Sequence, residues 1–298
     1  MQQAFDERNR DIVVNVGGRL SHRDEARVSP FDSAVQGGDA VWEGLRLYDG
    51  RIFKLDQHLT RLRRSAHALA FAQIPPAEEI TTEIRRTLDA NGMRDDVHIR
   101  LTLTRGVKVT SGMDPRLNQS GPTLIVLAEH KSPVYDPAGI TLITSSLRRA
   151  AADSLDPKIH HNNMITSILA KVEANVAGAD DALLLDPFGF VAETNATNVF
   201  LVDDDAVLTP TTRACPEGIT RATVIELCAE QGRVLREGDW TLTNVYNANE
   251  VFVTGTMGGL TPVTAVDGRQ IGTGKPGPIT ELLSHAYAEV TRQGGTPV

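Results

Sequence analysis

Cysteine, excess positive charge and long hydrophobic runs are scarce in this chain of 298 residues. Its two cysteines, Cys215 and Cys228, are too few for a disulfide framework or a cysteine-rich metal site. A reducing cytoplasm is therefore the expected compartment. No apolar run approaches the roughly 20 residues of a membrane helix. The net charge of −8, with no basic stripe, argues against a nucleic-acid partner.

The composition is that of a globular protein, with 41% hydrophobic and 23% charged residues. The length allows two domains. Lys131–Gly139 contains two prolines, a serine, an aspartate and a glycine, which is typical of a linker. We therefore predict an amino-terminal α/β domain over 1–130, a linker over 131–139, and a carboxy-terminal domain over 140–298.

Hydrophobic periodicity and turn residues predict helices and strands in both halves. Asp49-Gly50 is a hairpin signal that joins the predicted strands Ala40–Tyr48 and Arg51–Leu55, and Asp56 is the expected N-cap of the next helix. The other predicted strands are Ile12–Val16, His98–Thr104, Thr123–Ala128, Ile140–Thr144, Ala182–Leu185, Val199–Val202, Val251–Val253 and Pro262–Val266. Further helices are predicted from Pro76 to Asn91 and over Asn162–Ala177, Gly218–Glu230 and Ile279–Thr291.

Four motifs of the second half occur in the order Lys158, Glu193–Phe200, Gly218–Arg221 and Thr254–Thr256. A pyridoxal phosphate enzyme needs an amine for a Schiff base, a carboxylate for the pyridine nitrogen, and amides with hydroxyls for the phosphate. In order and spacing the motifs resemble the class IV aminotransferases, from about residue 11 to residue 293.

The resemblance implies a two-domain α/β (α+β) protein of fold type IV, with pyridoxal 5'-phosphate between the domains. It also implies a homodimer with each site near the subunit interface. The family includes branched-chain aminotransferases, D-amino acid aminotransferases and aminodeoxychorismate lyase.

The Schiff-base lysine depends on the register of one segment. If the chain has a one-residue bulge there, Lys158 is that lysine; if not, His160 takes its position and the chain lacks one. The spacing from Lys158 to Asn162 favours the bulge. In an extended segment Lys158 and His160 face the same side, so we expect both to approach the cofactor, with Asn163 close by. Adjacent residues point apart, so His160-His161 is a poor chelate and no metal is expected.

The other cofactor contacts follow from the family motif. Glu193, with Asn198, Val199 and Phe200 behind it, is the expected partner of the pyridine nitrogen, which it keeps protonated so that the ring withdraws electrons. A helix start offers free amides to a phosphate, and arginine offers a fork of donors. The predicted phosphate contacts are Arg61, Gly218, Ile219, Thr220, Gly255 and Thr256.

The expected reaction moves an amino group from a branched-chain or other apolar L-amino acid to a 2-oxo acid such as 2-oxoglutarate. Lys158 would exchange its imine for the substrate's and then move the proton at the alpha carbon. Trp42, Leu101 and Met257 are expected to form apolar walls, and Arg100 is a candidate for a substrate carboxylate or simply a solvent-facing strand residue.

Three alternatives remain open at this point. A D-amino acid or (R)-amine aminotransferase differs in face preference, and an aminodeoxychorismate lyase releases pyruvate on the same scaffold. The third is a non-catalytic binding protein that kept the fold and lost its lysine. The resemblance indicates small-molecule substrates, and no membrane partner is expected.

Overall fold

The computed structural model describes residues 4–298, which form two compact units. The amino-terminal unit contains residues 4–132, 159–163 and 291–298, and the carboxy-terminal unit contains residues 133–158 and 164–290. Residues 159–163 and 291–298 thus group with the first unit, although the prediction had assigned them to the second domain. No helix in the described part of the chain is both long and apolar enough to cross a membrane.

The amino-terminal unit is built on a seven-stranded antiparallel sheet in the order β16-β4-β3-β5-β6-β1-β2. Its central strands are long because their side chains alternate between a buried and a partly exposed face, which is the period of a strand. The strands are β1 (Val13–Val16), β2 (Arg19–His22), β3 (Ala40–Tyr48), β4 (Arg51–Ile52), β5 (Val97–Thr104), β6 (Thr123–His130) and β16 (Thr296–Pro297).

Three helices belong to this unit: α1 (Ser33–Gly37), α2 (Leu55–Ala68) and α3 (Ala77–Ala90). The apolar stripes of α2 and α3 share one core with the buried faces of β3 and β5. The predicted N-cap at Asp56 is wrong. The cap is Lys54, with φ 50°, and Asp56 lies inside the first turn, where its charge still suits the helix dipole.

The carboxy-terminal unit is built on a nine-stranded mixed sheet. Eight strands follow the order β12-β11-β10-β13-β14-β7-β8-β9, and β15 pairs with β14. The strands are β7 (Ile140–Arg148), β8 (Asp181–Leu185), β9 (Val191–Thr194), β10 (Asn198–Asp203), β11 (Ala206–Pro210), β12 (Leu235–Gly238), β13 (Glu250–Gly255), β14 (Gly259–Val266) and β15 (Arg269–Gln270).

The remaining helices are α4 (Ile165–Ala177), α5 (Ile219–Glu230), α6 (Leu242–Asn247) and α7 (Pro278–Gln293). Helix α4 begins three residues later than predicted. Asn162 lies outside it and pairs with the amino-terminal sheet, since its backbone N–H donates to the carbonyl of Ala40 on β3 at 2.8 Å. That contact ties the segment before α4 to the edge of β3 as extended chain.

Candidate active site

Glu193 lies on β9 in the carboxy-terminal unit and is almost fully buried. Burial raises the pKa of its carboxyl to about 7, and the charge of Arg149 opposes that rise. A buried carboxyl of this kind ionises readily only when a cation faces it. Glu193 is therefore placed to respond strongly to a positively charged ligand atom.

Arg149 accompanies Glu193 but does not satisfy it. Its Nε lies 2.8 Å from Glu193 Oε1, yet that buried N–H makes no aligned hydrogen bond. The other guanidinium nitrogens donate to Ser167 Oγ at 3.1 Å and to the Thr194 carbonyl at 2.9 Å. The carboxylate thus has an ionic neighbour whose directional bonds go elsewhere, which leaves it able to accept from a further donor.

Asn198 and Gly218 form the tightest contact of the site. Asn198 Nδ2 donates to the Pro216 carbonyl at 3.3 Å, and a Cβ built on Gly218 would lie 1.9 Å from Asn198 Oδ1. A larger residue at position 218 would force the Asn198 side chain to shift, and the φ of −64° shows that the constraint is space rather than backbone conformation. The start of α5 is thereby held against the start of β10.

The first turn of α5 keeps its amides free of side-chain caps. Gly218 is the N-cap and contributes no capping side chain, so Ile219 and Thr220 begin a helix whose amides and dipole favour an anion. Thr220 is buried, and its Oγ1 lies 3.4 Å from Tyr287 Oη. The phosphate-binding role of Ile219 and Thr220 stays a prediction, and this helix start offers amides that could serve it.

The end of β13 adds a second polar feature. Thr254 pairs with Asn198 across the two strands, and its buried Oγ1 has no hydrogen-bond partner among the described residues. Gly255 packs closely, since a Cβ there would lie 3.1 Å from Thr197 Cγ2. Thr256 and Met257 are half-buried in the turn that follows. An unsatisfied hydroxyl next to Asn198 indicates a place for a ligand oxygen.

Lys158 has a different environment from the one expected of a Schiff-base lysine. Its side chain is 50% exposed, and its amine lies 3.7 Å from Glu217 Oε1. Its backbone N–H donates to Asp156 Oδ1 at 3.0 Å. The side chain is therefore not enclosed in a buried pocket, as a Schiff-base lysine is expected to be.

The segment between Lys158 and His160 is not extended. The His161 N–H donates to the Ile159 carbonyl at 2.7 Å, which closes a three-residue turn at His160. The expectation that Lys158 and His160 face the same side depended on alternation in extended chain, so it stays a prediction without that support.

A buried polar cluster lies in the amino-terminal unit around Glu43, which is fully buried on β3. Arg61 on α2 donates to both of its oxygens, from Nε at 2.8 Å and from Nη2 at 2.7 Å. His58 Nδ1 lies 2.7 Å from Glu43 Oε2. The guanidinium holds the pKa of Glu43 well below its usual range against the effect of burial. Arg61, the predicted phosphate ligand, is thus oriented by a bidentate pair.

His160 joins the same cluster. Its Nδ1 lies 3.5 Å from Glu43 Oε1 and also bonds the Trp42 carbonyl, and its backbone N–H donates to Ser65 Oγ at 3.0 Å. The imidazole stacks on Trp42 with ring centroids 4.4 Å apart. Burial and the Arg61 charge lower its pKa, against the opposing effect of Glu43. His160 is therefore a neutral ring held in one orientation.

The predicted substrate residues Trp42 and Arg100 also meet in this unit. Arg100 Cζ lies 3.6 Å from the centroid of the Trp42 ring, and Arg100 Nη2 donates to Asn162 Oδ1 at 2.7 Å. Burial lowers the pKa of Arg100 to about 10, so it remains charged at neutral pH. Among the described residues, no carboxylate forms a salt bridge with it.

Two other predicted residues are placed differently from expectation. Asn163 is exposed and donates to the Gly38 carbonyl at 3.1 Å. The predicted apolar wall at Leu101 is wrong, because Leu101 is fully buried in the core of the amino-terminal unit. It lies on the core-facing side of β5, whereas Arg100 lies on the opposite side.

Sequence reasoning did not single out Glu43, Arg149 or Cys215. Glu43 had a signal, since it follows Val41 and precedes Leu45 on the apolar face of an alternating strand, where a charge needs a partner.

Burial and the nearby charge of Glu193 raise the pKa of Cys215 to about 12. This thiol therefore stays protonated beside Glu193 and Asn198, in a place that the chain pattern does not reveal.

Comparison with known proteins identifies the family. The model of the family described as "Amino-transferase class IV" matches residues 40–266. The chain belongs to the class IV aminotransferases. "Branched-chain-amino-acid aminotransferase-like protein 2" of Arabidopsis thaliana is 55% identical over 97% of this chain and 52% of its own length. A "putative branched-chain-amino-acid aminotransferase" of Methanocaldococcus jannaschii is 38% identical over 96% of this chain and 99% of its own.

Solved structures of class IV members confirm the fold type. The T.th. branched-chain amino acid aminotransferase, complexed with N-(5'-phosphopyridoxyl)-L-glutamate, superposes with a TM-score of 0.88 at 35% identity, covering 95% of each chain. The Escherichia coli enzyme gives 0.89 at 28% identity, covering 96% of each. This chain spans about half the length of the two Arabidopsis relatives, 52% of each.

Class IV aminotransferases use pyridoxal phosphate, and the carboxy-terminal unit fits two of its groups. Glu193 suits the protonated ring nitrogen, and the free amides of α5 with the unpaired Thr254 hydroxyl suit the phosphate. The environment of Lys158 does not fit a buried attachment point. Bound pyridoxal phosphate supplies an aldehyde for an amino group and a ring that withdraws electrons.

Proposed function

We propose that this chain transfers an amino group between an amino acid and a 2-oxo acid with pyridoxal 5'-phosphate, like the class IV family to which it belongs. The observation that carries the proposal is Glu193, a buried carboxyl whose pKa burial raises to about 7. The charge of Arg149 opposes this rise without cancelling it, so the carboxyl stays costly to ionise until a further cation faces it. A protonated pyridine nitrogen is the cation that the family's cofactor would bring.

The roles of the chain's own residues follow from their contacts. Glu193 would hold the proton on the ring nitrogen, with Arg149 limiting the cost of its charge. The α5 amides, Thr220 and Thr256 would bind the phosphate. Arg61 is proposed as a further phosphate ligand, oriented by Glu43. Absorbance spectra of the protein with pyridoxal phosphate, before and after an amino donor, test the function; no change with any donor would contradict it.

For the substrates we propose branched or other apolar L-amino acids as donors and 2-oxoglutarate as the acceptor. Trp42 offers an apolar surface, and Met257 in the other unit is half-buried. Arg100 supports a dicarboxylate acceptor, because it is charged, partly buried and lacks an acidic salt-bridge partner among the described residues. A partly buried arginine without an acidic partner is placed to bind the carboxylate of a substrate.

Substitution of Arg100 by methionine should raise the KM for 2-oxoglutarate about tenfold or more, the loss expected for one charge-assisted hydrogen bond. The half-reaction with L-leucine should change far less, since that donor has no second carboxylate. Steady-state kinetics with both substrates would measure this split. Equal losses for both would argue against a carboxylate role, and conversion of D-alanine but not L-leucine or L-valine would move the assignment to D-amino acids.

We also propose that the chain forms a homodimer through α4. This helix packs on β8 through Ala170 and Ala174, while its larger apolar residues face outward at helical spacing. The exposed residues are Ile165, Ile168, Leu169, Val172 and Val176. A stripe of this kind is rare on a monomer and typical of an interface.

A charge in the stripe should therefore dissociate the dimer. We expect Val172→Glu to shift the protein from dimer to monomer at micromolar concentration, because the substitution would bury an unpaired carboxylate. Ala90→Glu, at the exposed end of α3, is the matched control and should stay dimeric. Sedimentation velocity measures both, and an unchanged mass for Val172→Glu would place the interface elsewhere.

A further inference from the structure

The lysines of this chain offer no buried amine that is free to hold a cofactor. All six lie in the described residues, and Lys108 is the only buried one. Its Nζ donates to the Gly112 carbonyl at 2.6 Å. Lys158 is half exposed with its amine near Glu217. A cofactor-binding amine is expected to lie in a buried pocket, and neither of these two lysines offers a buried, unoccupied amine.

His160 has the surroundings that the expected lysine lacks. Its backbone is fixed by β3, since Trp42 N–H donates to the His160 carbonyl at 3.0 Å. Its ring lies between the Trp42 indole and Glu43, in the cluster that also holds Arg61. The pairing of this segment with β3 therefore decides which residue takes the position of the Schiff-base lysine. The number of residues between Lys158 and Asn162 does not decide it.

The Glu43–Arg61 pair favours a neutral side chain, such as the His160 imidazole, at this position. The Arg61 guanidinium already balances the buried carboxylate through two hydrogen bonds. A second full cation next to Arg61 would meet a like charge in a poorly solvated place. The imidazole fits because it fills the space and accepts or donates hydrogen bonds without adding charge.

We propose that this chain retains pyridoxal phosphate without a covalent bond to lysine, and that His160 takes the place of the Schiff-base lysine in the amino-terminal unit. This inference rests on the proposed function, because it concerns how the same cofactor is held. It requires no bond to form or break between protein and cofactor. The α5 amides and Glu193 bind the phosphate and the ring nitrogen by hydrogen bonds and charge alone.

Reduction with borohydride tests the proposal on the intact protein loaded with pyridoxal phosphate. A covalent imine is reduced to a stable amine that survives denaturation, whereas a free aldehyde is reduced to an alcohol that is then released. We expect the wild-type chain to keep its unmodified mass. A cofactor adduct on the peptide that contains Lys158, or on any other lysine peptide, would overturn the proposal.

Two variants sharpen the result. Lys158→Ala should keep the bound-cofactor absorbance and release the cofactor at a rate within about threefold of the wild type. A large loss of retention in Lys158→Ala would also overturn the proposal. His160→Lys should gain a reducible adduct on the peptide that contains position 160, and His160→Gln is its matched control without an amine.

The design separates this inference from the proposed function. If His160→Lys does not fold, the wild-type mass and the Lys158→Ala retention still decide the question. If the wild type binds no pyridoxal phosphate, or its spectrum does not respond to any amino donor, the proposed function fails. If it binds, responds and carries no adduct, both proposals stand.

Discussion

Glutamine at position 193 should slow amino-group transfer by about a hundredfold or more, while pyridoxal phosphate binding stays largely intact. A neutral amide cannot hold a proton on the pyridine nitrogen, so the ring withdraws electrons less well in the transition state. Each tenfold decrease in rate corresponds to an increase of about 1.4 kcal/mol in the activation free energy. Loss of a buried charge pair should raise that free energy by at least twice as much. Single-turnover absorbance changes with a saturating donor would measure the effect.

Glu217→Gln is the matched control for this variant. Glu217 is an exposed carboxylate of the same unit, next to the start of α5, and its loss should leave the rate within a few-fold of wild type because exposed pairs contribute little. Near wild-type turnover in Glu193→Gln would remove Glu193 from the mechanism. Equal slowing in both variants would point to a general effect of charge.

Glu193 also makes the stability of the ligand-free protein depend on pH. Burial raises its folded-state pKa from 4.5 to about 7, so the folded chain binds this proton more tightly than the unfolded chain. Its contribution to the free energy of unfolding is complete below pH 4.5 and is lost as the pH rises through about 7. Denaturant titrations should show this loss in the wild type and its absence in Glu193→Gln.

Loss of the Arg61 side chain should have the second large effect. Arg61→Ala removes a proposed phosphate ligand, so pyridoxal phosphate affinity should fall about tenfold to a hundredfold, the value of a charge-assisted hydrogen bond. Pyridoxal, which lacks the phosphate, should lose much less affinity. Fluorescence or absorbance titrations with both ligands measure the difference, and equal losses would show that Arg61 does not contact the phosphate.

Arg61→Ala should also destabilise the fold by about 3 kcal/mol, because it leaves the buried Glu43 carboxylate without its bidentate partner. Adding Glu43→Gln to that variant removes the unpaired charge and should recover part of the lost stability. The pyridoxal phosphate affinity should not recover with it. A double variant that regains both would mean that Arg61 acts only through the fold.

The long elements could be predicted from the sequence because their side-chain period is strong. Strand β3 has the bounds predicted, and β5 and α7 differ by a residue or two at their ends, since their apolar positions repeat at the spacing of a strand or a helix. The short strands β2, β9, β11 and β12 were not predicted. Four or five residues carry too little pattern, and their strand state depends on the neighbour with which they pair.

The family motif likewise made Glu193, Asn198 and the start of α5 recognisable in the amino-acid sequence. Each of these residues lies near one end of a strand or at the start of a helix, and Gly218 approaches Asn198 closely. The sequence by itself therefore determined the fold type, and through the family motif it indicated pyridoxal phosphate and the carboxylate proposed to face the ring nitrogen.

Only the tertiary structure decided the environments of Lys158 and His160. Their separation by two residues is compatible with either register, and the choice comes from hydrogen bonds between His160, Asn162 and the distant strand β3. The partners of Glu43 were equally invisible, since Arg61 and His160 reach it from different elements. Pairing between distant segments and the need to balance a buried charge determine where these side chains lie. Neither produces a periodic pattern in the amino-acid sequence.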